Sequence, residues 1–436
     1  MKKWSSVIPP GLLAAGVALV SASDTGRSSK GFDRMELTRE FWSEGVNFGD
    51  LNHDGVPDLV AGPCWWAGPD FAERHHYAPL ERKSPSAAAP HRAKNPEGEM
   101  VTVAGFPGAW SGRNGYSDCF QLWCHDFNGD GWDDVLTVSF PGKEAFWYAN
   151  PQGKDGDWER HVAFPAVDNE SPLFTDVNGD GRPDLVFHTE LPEKQGARLG
   201  YATFDPENPT APWRFHPVSA AYPDPTPQKW GRFQHGLGAG DVDGDGRVDL
   251  LMNHGWWRQP ESLDGDPEWE FHAADFAPQA AQIHVDDVNG DGRNDVITAV
   301  EAHGHGLAWH EQAEDGSFGR HEIMGRSAGE SAGGVHFTQP HAVELADIDG
   351  DRLRDLVTGK RFWAHGPEGD VDPNGTPVLY WFRLVRDGNG GARYEPRLID
   401  RDSGVGTQFV VRDVNGDRRP DVAIANKRGV FLFRQQ

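Results

Sequence analysis

Cysteine is almost absent from this chain, with three in 436 residues: Cys64, Cys119 and Cys124. Three thiols cannot pair completely, which excludes a disulfide scaffold and a Cys-rich zinc site. One bridge or three buried thiols both fit the count. Long apolar runs are also missing. Beyond residues 11–20 no stretch is long and apolar enough for a spanning helix. Positive charge is in deficit, with 41 Lys and Arg against 67 Asp and Glu and a formal net charge of −26. That balance argues against nucleic acid and against anionic membrane surfaces as partners. There is no G-x-S-x-G elbow, no Walker loop and no dinucleotide fingerprint between a strand and a helix. Without a βαβ pattern, a nicotinamide enzyme is excluded as well.

What is present points elsewhere. Fifty-three Gly and 17 Trp suggest β-structure with many tight turns. Residues 1–23 stand apart: Lys2 and Lys3 precede an apolar stretch, Gly11 to Val20, that ends in Ser21-Ala22-Ser23. A charged start, a short apolar core and small residues at the end describe a secretory signal. The expectation is an exported soluble protein, secreted or periplasmic. No Cys follows the apolar run, which argues against a lipid anchor.

One pattern, D-x-[DN]-x-D-x-x-x-D, occurs seven times, with starts 76, 50, 65, 46, 60 and 66 residues apart. Its oxygen-bearing positions are Asp50, Asn52, Asp54 and Asp58; Asp126, Asn128, Asp130 and Asp134; Asp176, Asn178, Asp180 and Asp184; Asp241, Asp243, Asp245 and Asp249; Asp287, Asn289, Asp291 and Asp295; Asp347, Asp349, Asp351 and Asp355; and Asp413, Asn415, Asp417 and Asp421. Calcium wants six to eight hard oxygen ligands, and alternate residues of a tight loop can converge on one ion. These 28 residues are therefore the expected ligands of several structural Ca2+ ions. Gly at the sixth position permits the sharp turn in five copies. Arg352 and Arg418 stand there in the last two. Removing the 23 loop acids leaves 44 acidic residues against 41 basic ones, so almost all the negative charge sits in the loops.

An EF-hand would need flanking helices and a Glu at position 12. Here the ninth position is followed by LVAG, VLTV, LVFH, LLMN, VITA, LVTG and VAIA, which read as short buried strands. The unit is strand, loop, strand, then further strand-like segments such as AFWYAN and VLYWFRL. FGDLNHDGVPDLVAGP at 48–63 resembles the FG-GAP (VCBS) repeat of integrin-like β-propellers. The resemblance implies an all-β fold, a seven-bladed β-propeller with integrin-like calcium loops, covering about 31–436. An insertion is expected at 73–115. Either the stretch 31–42 or the C-terminal VFLF would close the ring.

In such a blade the loop turns the chain at one face. Residues about six before each loop, and those just after the following strand, then return to the opposite face near the axis, since six extended residues span about 20 Å. The first set is Glu44, Phe120, Glu170, His235, Ala281, His341 and Thr407. The second includes His188, Glu190, His254, Glu301, His303, His305, Lys360, Arg361 and Lys427. Neutral imidazole binds zinc and related metals and also serves as a base. A carboxylate such as Glu170 could complete a metal site, and Lys360 or Arg361 could hold an oxyanion. Zn2+ or another divalent metal in this central pocket is thus a second cofactor expectation. Trp65-Trp66, Trp256-Trp257 and Trp363 are compatible with sugar stacking or with plain core packing.

The segments QHGLGAGDVDGDGRVDLLMNHGWW, AVEAHGHGLAWHEQ, TQPHAVELADIDGD and LVTGKRFWAHGPEGD resemble the propeller of aldos-2-ulose (1,5-anhydrofructose) dehydratases, most closely over about 230–436. The resemblance implies loss of water from a ketosugar with divalent metal bound. On the shared segments, His235, His254, His303, His305, His341 and Lys360 become the candidate catalytic residues. The cupin-type domains that follow the propeller in the fungal enzyme have no counterpart within these residues. The reading is an exported metal-dependent lyase or dehydratase acting on a carbohydrate or small sugar-derived substrate. The competing readings are a non-catalytic calcium-stabilised propeller that binds glycans or a partner protein, and a lyase of uronic acid polymers.

Overall fold

A computed structural model describes residues 31–436 apart from 82–89, 95–98, 104, 107, 109, 111–114, 155, 191–196 and 222–231. The expected signal at 1–23 and part of the insertion at 73–115 lie outside the described residues. The apolar runs after the loops form the strands Asp58–Ala61, Asp134–Val138, Asp184–Thr189, Asp249–Met252, Asp295–Ala299, Asp355–Gly359 and Asp421–Asn426. Every residue in these seven strands is buried, which is why they read as continuous rather than alternating apolar runs. Each pairs antiparallel with the strand before its loop, and in all seven the residue preceding the first Asp faces the ninth-position Asp.

The ninth Asp explains that constancy. It is buried in every copy. Its Oδ2 accepts the N–H of the loop's second residue, from Leu51 to Val414, at 2.9–3.2 Å. Its Oδ1 accepts an N–H from the far end of the third strand in six copies: Gly68, Asn150, Gln259, Gln312, Leu384 and Gln435. One carboxylate thus ties the loop to the strand beyond it. The sixth-position turn survives without Gly. Arg352 and Arg418 keep φ of 74° and 69°, against 84–89° for the five glycines, at a cost of about 1–2 kcal/mol each.

The strands assemble into five four-stranded sheets and one eight-stranded sheet, beside a two-stranded ribbon, His91–Lys94 with Met100–Val103, in the insertion. The eight-stranded sheet is two antiparallel four-stranded runs, joined where Leu237–Gly240 pairs parallel with Gln282–Asp286. First strands of successive sheets pack side by side, which sets them around an axis. The only helical turns among the described residues are Ala328–Glu330 and Ala332–Gly334. The fold is all-β, in a β-propeller arrangement. Both expected closing segments take part: Phe32–Thr38 pairs antiparallel with Gly429–Gln435, so the two ends of the ring share one sheet. Among the described residues no helix is long and apolar enough to cross a membrane. All three cysteines are free thiols.

Two features fill the ring. Across the axis, buried amides bridge the inner strands: Gln408 accepts from Leu122 N and donates to Leu122 O, and Gln282 donates to Thr407 O at 3.0 Å. Toward the rim, five of the four-stranded runs, two of them in the eight-stranded sheet, repeat one cross-strand pair, an aromatic on the third strand stacked on a His of the fourth. The pairs are Trp65–His75, Trp147–His161, Tyr201–His216, Trp256–His272 and Trp309–His321, with ring centroids 4.1–4.8 Å apart. Such pairs are the stabilising unit of a sheet. Trp65, Trp66, Trp256, Trp257 and Trp363 are all buried, so they are packing residues rather than sugar platforms.

On the inner strand Val343–Ala346, Val343 and Leu345 enter the core while Glu344 points the other way. Burial alone raises the Glu344 carboxyl from 4.5 to about 8. Between those values the folded chain holds a proton that the unfolded chain has released, so this group costs stability as pH rises through that window. Glu344→Gln is expected to raise Tm relative to the parent at pH 8 and to match it near pH 4. Parallel Tm profiles for the two proteins would contradict this.

Candidate functional site

The two faces of the ring carry different chemistry. On the loop face, the first Asp caps the turn by accepting the sixth-position N–H at 2.8–3.1 Å, as in Gly55 to Asp50 and Arg418 to Asp413. The third and fifth side chains point to the same place. Carboxylate oxygens converge within 4.8 Å in Asp241, Asp243 and Asp249, and in Asp347, Asp349 and Asp351. Like charges at that separation repel, and a positive charge set among them relieves the repulsion. These are the two loops with Asp at the third position, and an arginine from the third strand reaches each. Arg258 meets Asp243 at 2.6 Å and Asp245 at 3.1 Å. Arg383 meets Asp349 at 2.5 Å and Asp351 at 3.0 Å. Burial pushes the ninth carboxylates of Asp134, Asp184 and Asp355 up to about 7. Hard oxygens, clustered charge and this strain together fit a calcium ion.

The opposite face holds a tighter cluster. Glu170, His235 and His341 lie just ahead of three inner strands, and His303 follows the second strand of the sheet between them. His235 Nε2 lies 3.0 Å from His303 Nε2, 3.2 Å from His341 Nε2 and 3.1 Å from Glu170 Oε2. The three rings meet edge to face, 4.7–5.0 Å between centroids. Protons cannot satisfy this arrangement, because an imidazole nitrogen carries at most one hydrogen, aimed along one direction. A single cation among four lone-pair donors can. Tetrahedral zinc with Zn–N of about 2.0–2.1 Å spaces its ligand atoms about 3.3 Å apart, close to what is found here. The donor set therefore fits a zinc-like divalent ion.

The surroundings favour neutral imidazoles at His303 and His341 and an ionised carboxylate at Glu170, the ligand forms a metal needs. Burial, then Arg361, press His341 well below its ordinary range, and burial takes His303 down to about 4. Burial opposes ionisation of Glu170, but His235 and His341 outweigh it and hold that carboxyl low. Asp370 stands behind the cluster. It lies 3.6 Å from His303 Nδ1 and 2.8 Å from His365 Nδ1, and the His365 ring lies 4.5 Å from that of His303. A carboxylate behind a ligating His is the usual outer partner of such a centre.

Not every sequence candidate joins it. His303, His235 and His341 come together, with Glu170. His254 lies apart, its Nε2 buried without a hydrogen-bond partner. His305 stacks on His336 at 5.3 Å. Lys360 donates to Thr338 Oγ1 and lies 3.9 Å from Asp372, and burial lowers its ammonium to about 8. Residue types and spacing did not single out His365 and Asp370. They occur in WAHGPEGD, within the long loop between Asp355–Gly359 and Leu379–Arg386, where no strand period fixes a position.

Beside the cluster lies a buried ion triad. Glu44 pairs with Arg361 and, at 3.2 Å, with Lys427, whose ammonium also donates to Trp363 O at 2.8 Å. All three are under 5% exposed. Burial lowers Lys427 to about 8 against the pull of Glu44.

Comparison with known proteins agrees with the fold. Residues 126–187 and 287–358 match the FG-GAP-like repeat, each stretch spanning two loops or their flanking strands. The chain thus carries FG-GAP-like repeats in a β-propeller arrangement. No curated protein matches it. Among solved structures, one is a complex explaining recognition of non-reducing terminal N-acetylglucosamine by an Agrocybe aegerita lectin, 14% identical over 86% of this chain and 81% of that one, TM-score 0.43. Another is rhamnogalacturonan lyase YesW, 14% identical over 92% and 75%, TM-score 0.41. At these scores neither likeness bears on function.

Breaking the triad from one side strands a buried charge, at a cost of about 3–5 kcal/mol. Glu44→Gln is expected to lose that much in urea unfolding, while the triple variant Glu44→Leu, Arg361→Leu, Lys427→Met loses clearly less. Equal losses would show that packing, not charge, dominates there.

Proposed function

We propose that this chain is a seven-bladed propeller enzyme, a metal-dependent carbohydrate lyase that eliminates water from a ketosugar at its axial centre. Counting the eight-stranded sheet as two blades gives the seven that the repeats call for. The observation that carries the reading is the convergence of His235, His303 and His341 Nε2 with the Glu170 carboxylate at one end of the axis. A divalent metal held by these four would act as a Lewis acid on a carbonyl or hydroxyl oxygen that enters as a fifth ligand. A purely binding propeller has no use for such a set.

The chain's own groups suit the rest of the reaction. Asp370 fixes His365 with Nδ1–H toward it, which leaves Nε2 as the acceptor. His365 is 48% exposed on its side chain, so substrate can reach it. In this reading His365 Nε2 takes the proton beside the ketone. The electron pair of that C–H bond forms the new C=C bond, the neighbouring C–O bond breaks, and the hydroxyl leaves as water on gaining a proton. Burial raises the Tyr116 phenol to about 12, so it stays protonated. Its ring lies 6.4 Å from His365, and in this reading the phenol is the proton donor. Arg361 and Lys427 lend positive potential to the oxygen that gathers charge. His254, His305 and Lys360 take no part. The resemblance to aldos-2-ulose dehydratases supports the same chemistry, and the secretory signal expected at 1–23 would suit a carbohydrate substrate outside the cell.

The loops are proposed to hold structural Ca2+. Arg258 and Arg383 neutralise two of them in part, and Arg182, Arg293 and Arg419 pair with the fifth Asp of three more. Chelation with EDTA is expected to lower Tm by many degrees, because bound ions stabilise only the folded chain. The enzyme reading is tested with 1,5-anhydrofructose, following the absorbance of the conjugated product. His365→Ala should retain one zinc-like ion per chain and lose about 10²–10⁴-fold in kcat, whereas His341→Ala should lose ion and activity together. A protein that holds calcium alone and leaves every ketosugar intact would sink this reading.

A further inference from the structure

A second concavity lies off the axis, between the first and second four-stranded sheets, where the insertion joins the ring. Its volume is about 900 Å³, toward the upper end of the roughly 300–1,000 Å³ typical of small-molecule sites. Trp110, Tyr148 and Trp158 form its buried floor, and the half-buried rings of Tyr116, Phe140 and Phe146 form its walls. The Arg160 guanidinium stacks over Phe146 at 4.3 Å and fixes that ring. Around the rings stand Ser139 and the acids Asp118, Glu144 and Asp157, while the hydroxyls of the lining residues Ser117 and Thr137 donate to Cys119 O and Phe146 O.

Flat apolar rings alternating with hydrogen-bonding groups match one chemistry well. A sugar ring offers C–H faces that pack on aromatics and an equatorial girdle of hydroxyls that donate to carboxylates. Charge narrows the class. Four acids, Glu81 included, face two bases, Lys143 and Arg160, which disfavours a polyanionic uronic acid chain.

The cavity also has a direction. Tyr116 belongs to its wall and lies 5.6 Å from Phe140. Phe140 lies 5.4 Å from Phe233, which is 52% exposed and two residues ahead of His235. A track of rings thus leads from the cleft to the axial cluster. We infer that this cleft binds a neutral oligosaccharide whose reacting end reaches the axial centre, so that a longer ketosugar is held more tightly than a single ring. The direction of the chain rests on the reading of the axial centre given above; the cleft's affinity for sugar does not.

Tryptophan fluorescence titrations with cellotetraose, maltotetraose, xylotetraose and tetragalacturonate test it. At least one neutral tetrasaccharide should bind, at least tenfold tighter than tetragalacturonate. Phe140→Ala and the surface change Asp157→Asn should each weaken that binding about tenfold, with Tm as the check on folding. Stripping the zinc-like ion with dipicolinate should leave it unchanged. Absence of binding by all three neutral probes, tighter binding of tetragalacturonate, or affinity indifferent to both substitutions would overturn the assignment. Sugar binding by a native protein that, as purified, carries no axial metal would count against the enzyme reading alone.

Discussion

A buried carboxylate at the ninth position of each loop holds the turn that precedes it and, in six of the seven copies, also the end of the strand beyond its neighbour. Leaving those N–H groups unpaired inside the ring would cost about 1–3 kcal/mol each. The position is therefore invariant in all seven copies, even where the sixth position gives up glycine. Because this tie sets the register of every hairpin, it also sets what stands at the hairpin's other end. Residues six before the loop and those after the second strand return to the axis at one level. That is how Glu170, His235 and His341, far apart in sequence, meet His303.

The same regularity separates two electrostatic problems. The loop face concentrates acid, which suits a hard cation or, in two loops, a guanidinium from the third strand. The axial face gathers imidazoles, one carboxylate and a buried pair of cations around Glu44. Amides of Gln282 and Gln408 lie across the axis beneath the cluster. The axis is thus plugged with satisfied polar groups, and reactive ones remain at its end.

Much of this was legible in the residues, and the reason is periodicity. Loop spacing and the apolar runs after it marked both inner strands of every sheet, and strand length then placed Glu170, His235, His303 and His341 near one point. What escaped had no period to read. His365 and Asp370 sit in an irregular loop pinned by Trp363 and Asn374. The aromatic–His pairs sit on third and fourth strands whose connecting turns differ in length, so Trp147 meets His161 while Trp309 meets His321. Five histidines that raised the count are spent on those pairs. His254 and His305 follow their strands as expected, but neither imidazole joins the axial cluster. Register predicts where a backbone arrives, not where a rotamer points.

Anomalous diffraction at the zinc edge, on crystals of the native protein, tests the centre most directly. The account predicts one strong peak bounded by His235, His303 and His341 Nε2 and by Glu170, and weaker calcium-like peaks only in the loops. No peak at the axis, with the three imidazoles hydrogen-bonded to one another or to water, would contradict it.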